Sequence, residues 1–216
     1  MNRRTAAACA VLTLLTLTAA CGTEPGDRAD GAPARDLADR VCPVVDATAQ
    51  DLPTQDGTPM NTPEASALAA AVDPPKRGTG ANAAYYDVYS DLIVDQPAGR
   101  VALCVTDLER GRAWRAAVAK AHPEVDVERL DLYRGRWSKK TLDAAGDRVW
   151  RNPKQYAFPL HTLSRDGTKG LTVGTSAEGA KSADFRKQLT ENAGGVAVRV
   201  EATGPVEALG GDVKRG

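Results

Sequence analysis

The chain has 216 residues, of which 42% are hydrophobic and 26% are charged, and its 28 basic side chains balance its 28 acidic ones. This composition is typical of an ordinary globular protein of one or two domains. Without residues 1–20, which carry Arg3 and Arg4, 26 basic side chains face 28 acidic ones. A nucleic-acid binder carries a basic excess, so that class is excluded. Four cysteines and two histidines, widely scattered, do not form a zinc-ribbon pattern, and we expect no metal or cofactor.

The first residues have the pattern of an export signal. Arg3 and Arg4 precede an uncharged run over residues 6–20 whose centre is rich in leucine. This run of about 15 residues is shorter than the roughly 20 that a membrane-spanning helix needs. The pattern therefore predicts a signal peptide over residues 1–20.

The sequence Leu-Thr-Ala-Ala-Cys-Gly occupies residues 17–22 and resembles the lipobox of bacterial lipoprotein precursors. Thr18 stands where these precursors more often have an aliphatic or smaller residue. The resemblance implies that Cys21 becomes the new N-terminus and carries a thioether-linked diacylglycerol. Each buried CH₂ group contributes about 0.8 kcal/mol, so two or three acyl chains hold a protein on a membrane where one is marginal. A plain secretory peptide cut near Ala20 is the alternative.

The residues after the lipobox are predicted to be a tether. Residues 22–35 contain no large apolar side chain, so they cannot bury enough surface to offset the entropy of an ordered chain. We therefore expect residues 21–35 to be a disordered connection between the membrane and the folded body. The predicted location is the extracytoplasmic face of the cell membrane.

Two cysteines are predicted to form a disulfide bond. If Cys9 leaves with the signal peptide and Cys21 is acylated, the mature chain keeps Cys42 and Cys104. Outside the cytoplasm, two remaining thiols are most simply explained as one disulfide. A redox-active role is the less favoured alternative, because neither cysteine has a Cys-x-x-Cys partner.

The folded body divides into two predicted parts. Residues 36–83 are expected to hold N-terminal helices and loops, with one helix over 36–50 and another from Thr62 to Val72. Residues 84–216 alternate strand and helix patterns, and the order strand, strand, helix, strand occurs twice. The predicted strands are 85–95, 100–106, 125–133, 156–163, 171–173 and 196–200. The predicted capping boxes are 106–109 and 175–178, and a further helix begins at Ser138.

These patterns predict an α+β fold made of two ββαβ-like units, preceded by N-terminal helices. The units could form one split-βαβ, ferredoxin-like sheet packed by helices, or two small sheets packed together. Trp114 and the residues near it are echoed 71 residues later by Phe185 and its neighbours. Alternating strands that flank a helix also align this well by chance, so duplication remains one of two interpretations.

Ser176 is the strongest candidate for a catalytic nucleophile. It lies between a predicted strand and a predicted helix, as in the nucleophile elbow of hydrolases, and His161 could act as its base. However, Glu178 occupies the position of the second glycine in that motif. A helix N-cap explains the residues better, and His161 is expected to be structural, so no catalytic residue is assigned.

A basic stretch is the main candidate for a binding surface. Residues 133–140 hold four positive charges and two aromatic rings, a combination that suits an anionic envelope polymer or lipid phosphates. The alternative is a turn and a solvated helix start, with the tryptophan packed inward. The candidate anion-binding residues are Arg134, Arg136, Trp137, Lys139 and Lys140.

The sequence therefore favours a lipid-anchored, extracytoplasmic binding or accessory protein without catalytic activity. Its expected partners are the lipid bilayer, through acylated Cys21, and an envelope polymer or another envelope protein, with no nucleic acid. An envelope hydrolase that uses Ser176 and His161 is the alternative. A structural lipoprotein with no discrete ligand is a third possibility.

Overall fold

The structure, a computed structural model, describes residues 34–43, 52, 54–55, 58–59, 61–77 and 79–205. These residues have an α+β fold, as predicted, while the predicted signal peptide, Cys21 and most of the predicted tether lie outside them. The strands of the described chain are β1 (Asp36–Val41), β2 (Thr54–Gln55), β3 (Thr58–Pro59), β4 (Tyr89–Asp95), β5 (Arg100–Val105), β6 (Leu130–Arg134), β7 (Thr162–Asp166), β8 (Gly170–Thr175) and β9 (Val198–Ala202). Its helices are α1 (Pro63–Val72), α2 (Leu108–Ala121), α3 (Lys139–Trp150), α4 (Ala177–Lys181) and α5 (Ala183–Asn192).

The strand order contains two ββαβ units that form separate sheets. In the first unit, β4 and β5 are antiparallel, α2 follows, and β6 runs parallel to β5. In the second unit, β7 and β8 are antiparallel, α4 and α5 follow, and β9 runs parallel to β8. The sheet orders are β1-β6-β5-β4 and β7-β8-β9. The prediction of a single ferredoxin-like sheet is therefore wrong, and the alternative of two small sheets is correct. Helix α3 connects the two units and contacts both β4 and β7.

The predicted helix over residues 36–50 is wrong at its start, where β1 is a strand parallel to β6. The Leu132 N–H donates to the Arg35 carbonyl (2.9 Å), and the Cys42 N–H donates to the Arg134 carbonyl (3.2 Å). Backbone pairing with a distant strand outweighs a weak helical spacing of apolar residues. The predicted tether also ends earlier than expected, because the Ala34 N–H already donates to the Glu128 carboxylate, just before β6, and the Arg35 N–H donates to the Asp131 carboxylate on β6.

The predicted disulfide between Cys42 and Cys104 is present. Its Cα atoms are 5.6 Å apart, and both cysteines are buried. This distance is ordinary for a disulfide. The bond connects the end of β1 to β5, whereas the sequence predicted a connection from a helix to the sheet.

Polar side chains begin four of the helices in the described chain. The side chains of Asp107, Ser138, Ser176 and Ser182 accept hydrogen bonds from the backbone N–H three residues later. Such caps satisfy N–H groups that the first turn leaves without partners. The cap at Ser138 and the capping role of Ser176 are as predicted, but both capping boxes are displaced by one residue, because the caps are Asp107 and Ser176 and not Thr106 and Thr175.

Each ββαβ unit has its own apolar core. In the first core, the ring of Trp114 stacks on Tyr85 with centroids 4.9 Å apart. In the second, the ring of Phe185 meets Tyr156 edge to face at 5.8 Å. Trp114 and Phe185 therefore have equivalent roles in the two units, as their spacing predicts. Aromatic pairs of this kind add about 0.5–1.5 kcal/mol to the free energy of area burial.

The two units approach each other closely at Ser90, at the start of β4. A Cβ atom added to Gly135, after β6, or to Gly167, in the turn between β7 and β8, would overlap the buried Ser90 side chain. The Gly167 carbonyl also accepts hydrogen bonds from the N–H groups of Arg136 (3.2 Å) and Trp137 (3.0 Å). Only glycine permits this approach, which positions β4, α3 and β7 around a common groove.

Candidate functional site

Two adjoining clefts lie along α3 and share Arg165. The first has a volume of about 290 Å³ and is formed by the loop after α1, the start of β4, and α3. We call it the Asp91 cleft. The second has a volume of about 360 Å³, and we call it the Trp150 cleft. Its lining residues are Trp150, His161, Thr162, Leu163 and Arg165.

Arg165 is held against α3 by a glycine and two aspartates. A Cβ atom on Gly146 would lie 2.6 Å from the Arg165 Nη2 atom, so the guanidinium occupies space that any other side chain would fill. Its Nε atom lies 3.1 Å from Asp143 Oδ1, and its Nη2 atom lies 3.8 Å from Asp147 Oδ1. Glycine in a helix interior costs roughly 1 kcal/mol relative to alanine, which the close packing of Arg165 offsets. The guanidinium is thereby fixed between the two clefts.

Asp143 organises the polar wall of the Asp91 cleft. Its carboxylate pairs with Arg165 and with Lys139 (Nζ–Oδ1 3.3 Å), and it accepts a hydrogen bond from the Tyr86 hydroxyl. Burial and this hydrogen bond raise the pKa of Tyr86, so the hydroxyl remains a donor at neutral pH. The Asp143 carboxylate therefore holds the side chains of Lys139 and Arg165 in place and also bonds to the Tyr86 hydroxyl.

Asp91 has no such partner. The pairing register of β4 and β5 shifts between Tyr89 and Asp91, which is a β-bulge that redirects the side chains near it. Asp91 Oδ1 accepts a hydrogen bond from the N–H of Leu92 (2.9 Å), and among the residues that the structure describes no cation lies within ion-pair distance. Burial raises the pKa of Asp91 and repulsion from Asp166 adds to the shift, against the attraction of Lys139.

The Trp150 cleft combines an exposed aromatic ring with polar groups. Trp150, at the end of α3, has 43% of its surface exposed, which is unusual for so large an apolar side chain. The Nδ1 atom of His161 lies 2.7 Å from the Thr203 carbonyl oxygen. A carbonyl only accepts, so Nδ1 carries a proton and Nε2 is the free acceptor of the neutral ring. No local pattern in the sequence indicates that Trp150, His161 and Thr203 lie close together, because they come from separate segments of the chain.

Ser176 is the N-cap of α4, and its hydroxyl has no hydrogen bond to His161, the candidate base. Its Oγ accepts a hydrogen bond from the Gly179 N–H (3.2 Å), and it is absent from the lining of the Trp150 cleft. The Nδ1 atom of His161 bonds to the Thr203 carbonyl oxygen instead, and no hydrogen bond joins His161 to Ser176. A serine nucleophile acts in hydrogen-bond contact with its base, and the structure shows no such contact between these two residues.

The predicted basic stretch is divided between different environments. Lys139 lines the Asp91 cleft, where Lys76 and Arg165 join it. Trp137 packs against the second core, as the alternative interpretation expects, and the Arg136 guanidinium lies 5.2 Å from the centre of its ring. The side chains of Arg134, Arg136 and Lys140 are exposed. Of the five candidate anion-binding residues, Lys139 alone therefore lines one of the two clefts.

No family model, curated protein or solved structure matches the chain. A function for this protein is therefore inferred from its own residues. Within the described ranges, no helix combines the length and the apolar character needed to cross a membrane. The same ranges hold no group of three or more His, Cys, Asp or Glu side chains arranged to bind a metal ion.

Proposed function

We propose that the protein is a lipid-anchored, extracytoplasmic binding protein that holds an envelope polymer in the Trp150 cleft and performs no catalysis on it. The observation that carries the proposed location is the buried disulfide between Cys42 and Cys104. Structural disulfides persist in oxidising compartments and are rare in the cytosol. The lipobox-like sequence before Cys21 supports the same location and adds an anchor.

The chemistry of the Trp150 cleft supports a saccharide-containing polymer as the ligand. Its volume of about 360 Å³ lies within the roughly 300–1,000 Å³ of small-molecule sites. The apolar face of a sugar ring packs against an exposed indole such as that of Trp150, while the Thr162 hydroxyl and the Arg165 guanidinium supply hydrogen-bond donors. A guanidinium also attracts carboxylate and phosphate groups, so an anionic polymer fits best.

Acylation of Cys21 is tested by Cys21→Ser. The native protein is expected in the membrane fraction and to incorporate an alkyne-labelled fatty acid, whereas Cys21→Ser loses the label and leaves the membrane because the thioether cannot form. Cys9→Ser is the matched control and retains both properties. A Cys21→Ser variant that stays labelled and membrane-bound contradicts the proposed anchor.

Polymer binding is tested by Trp150→Ala. Affinity for isolated cell-wall glycan is expected to fall about tenfold, because the ring supplies the stacking surface and a binding hot spot contributes roughly 1–2 kcal/mol. Co-sedimentation with the glycan, at several protein concentrations, measures the change. Val41→Ala removes the other exposed large apolar side chain of the described chain and should leave binding unchanged. Equal binding by Trp150→Ala and the native protein contradicts the proposed site.

A further inference from the structure

The Asp91 cleft contains two polar groups that the proposed polymer site does not explain. Asp91 has a carboxylate without an ion pair among the described residues. The neighbouring Ser90 is 5% exposed, and its hydroxyl has no hydrogen-bond partner. Buried polar groups are normally hydrogen-bonded, and a partly buried charge is costly without a counter-charge. Both residues line the same cavity of about 290 Å³.

We propose that the Asp91 cleft binds a small zwitterion of the amino-acid or dipeptide class, with its ammonium group against Asp91 and its carboxylate against Lys76. This inference does not depend on acylation of Cys21 or on the Trp150 cleft. The binding is non-covalent, and no group is transferred.

The ammonium end of the ligand is assigned by the charges around Asp91. Lys139 attracts the Asp91 carboxylate, but Lys139 already pairs with Asp143. Asp166, the last residue of β7, is a like charge that repels the Asp91 carboxylate. A bound ammonium group would supply the positive charge that no described residue places within ion-pair distance of Asp91, together with up to three hydrogen-bond donors.

The carboxylate end is assigned to Lys76, which lines the same cleft as Asp91. Lys76 is exposed and forms no ion pair with any described residue, and Lys139 and Arg165 strengthen the positive field beside it. The rest of the lining includes four residues with apolar surface: Pro74, Pro75, Tyr89 and Leu142. The cavity is at the lower limit of volumes for small-molecule sites, which favours a ligand of one or two residues.

Calorimetric titration of the purified mature protein with glycylglycine tests the proposal. Saturable binding is expected, and N-acetylglycylglycine or glycylglycinamide, which each lack one charge, should bind at least tenfold more weakly. Glycine is titrated in parallel to distinguish a free amino acid from a peptide end. The absence of saturable binding by both glycine and glycylglycine overturns the proposal, as does equal affinity for the blocked peptides.

Asp91→Asn should weaken glycylglycine binding at least tenfold and remove the preference over N-acetylglycylglycine. Lys76→Gln should remove the preference over glycylglycinamide. Asp95→Asn is the matched control, since Asp95 lies on the same strand but does not line the cleft, and it should leave binding unchanged. If Asp91→Asn retains full discrimination between the free and acetylated peptides, the assignment of the ammonium end is wrong.

A stability measurement separates loss of the ligand site from loss of the fold. Burial raises the pKa of Asp91 in the folded protein, and this effect outweighs the hydrogen bond from the Leu92 N–H, which lowers it; repulsion from Asp166 and attraction to Lys139 are smaller, opposing effects. Charged Asp91 therefore reduces stability, and this penalty disappears as the pH falls through its folded pKa. Asp91→Asn should unfold at a higher urea concentration than the native protein at pH 7, with a smaller difference at pH 4. A variant that is less stable at pH 7 contradicts this account of Asp91.

Discussion

Loss of the Cys42–Cys104 disulfide is expected to lower the free energy of unfolding by about 4 kcal/mol. The bond closes a loop with a sequence separation of 62 residues that contains α1 and β4. Without the cross-link the unfolded chain gains conformational entropy, and the loss is a large part of the stability of a typical domain. Both cysteines are buried, at 3% and 0% exposure, so the bond also holds the end of β1 against β5.

Urea unfolding with and without reductant, followed by tryptophan fluorescence, measures this effect. The double variant Cys42→Ala/Cys104→Ala is the control, because alanine avoids a buried hydroxyl without a partner. It should have a low unfolding midpoint that reductant does not change. A native protein whose midpoint is the same in both conditions would show that the disulfide contributes no stability.

Asp131→Ala is expected to cost about 3–5 kcal/mol of unfolding free energy. Asp131 is 3% exposed on β6, and its carboxylate accepts two bonds from the buried Arg100, at 2.9 Å (Nε) and 2.6 Å (Nη2). Removing the carboxylate takes two charge-assisted hydrogen bonds from a buried guanidinium. Arg35→Ala should cost about 1 kcal/mol or less, because the Arg35 side chain is 52% exposed and Arg100 still pairs with Asp131.

The same carboxylate makes the fold sensitive to acid. Burial opposes the charged form of Asp131, but hydrogen bonds from Arg100 and Arg35 outweigh it and lower its pKa. A folded pKa below the unfolded value gives stability at neutral pH that is lost as the pH falls through the folded pKa. The native protein should therefore lose more stability between pH 5 and pH 2 than Asp131→Asn does. Parallel pH profiles of the two proteins contradict this assignment.

The parts of the fold that sequence predicts well depend on neighbouring residues. β5 alternates Val101, Leu103 and Val105 on one face, and its residues are all buried. The cap at Ser138 and the inward position of Leu142 follow from side chains within one helical turn of each other. The order of the two ββαβ units follows from such local signals, because each short connection limits which strands can pair.

The parts that sequence misses depend on distant partners. β1 is a strand because it pairs with β6, almost 100 residues later, and no local pattern indicates that pairing. Arg165 reaches both clefts because Gly146 leaves room for it on another element. The bulge beside Ser90 and the lack of a cation near Asp91 are likewise features of tertiary structure. The sequence therefore indicated Lys139 and His161 as candidate residues, one in each cleft, but neither of the clefts themselves.

The early start of β1 limits how far the folded body can stand from an anchor at Cys21. Fourteen residues lie between Cys21 and Asp36, where β1 joins the sheet, so the connection has fifteen residue-to-residue steps. A fully extended chain spans about 3.5 Å per residue, so this connection reaches at most about 50 Å. If Cys21 is acylated, the start of β1 would therefore stay within about 50 Å of the lipid headgroups. A polymer chain or a diffusing peptide would have to come that close to the membrane to be bound.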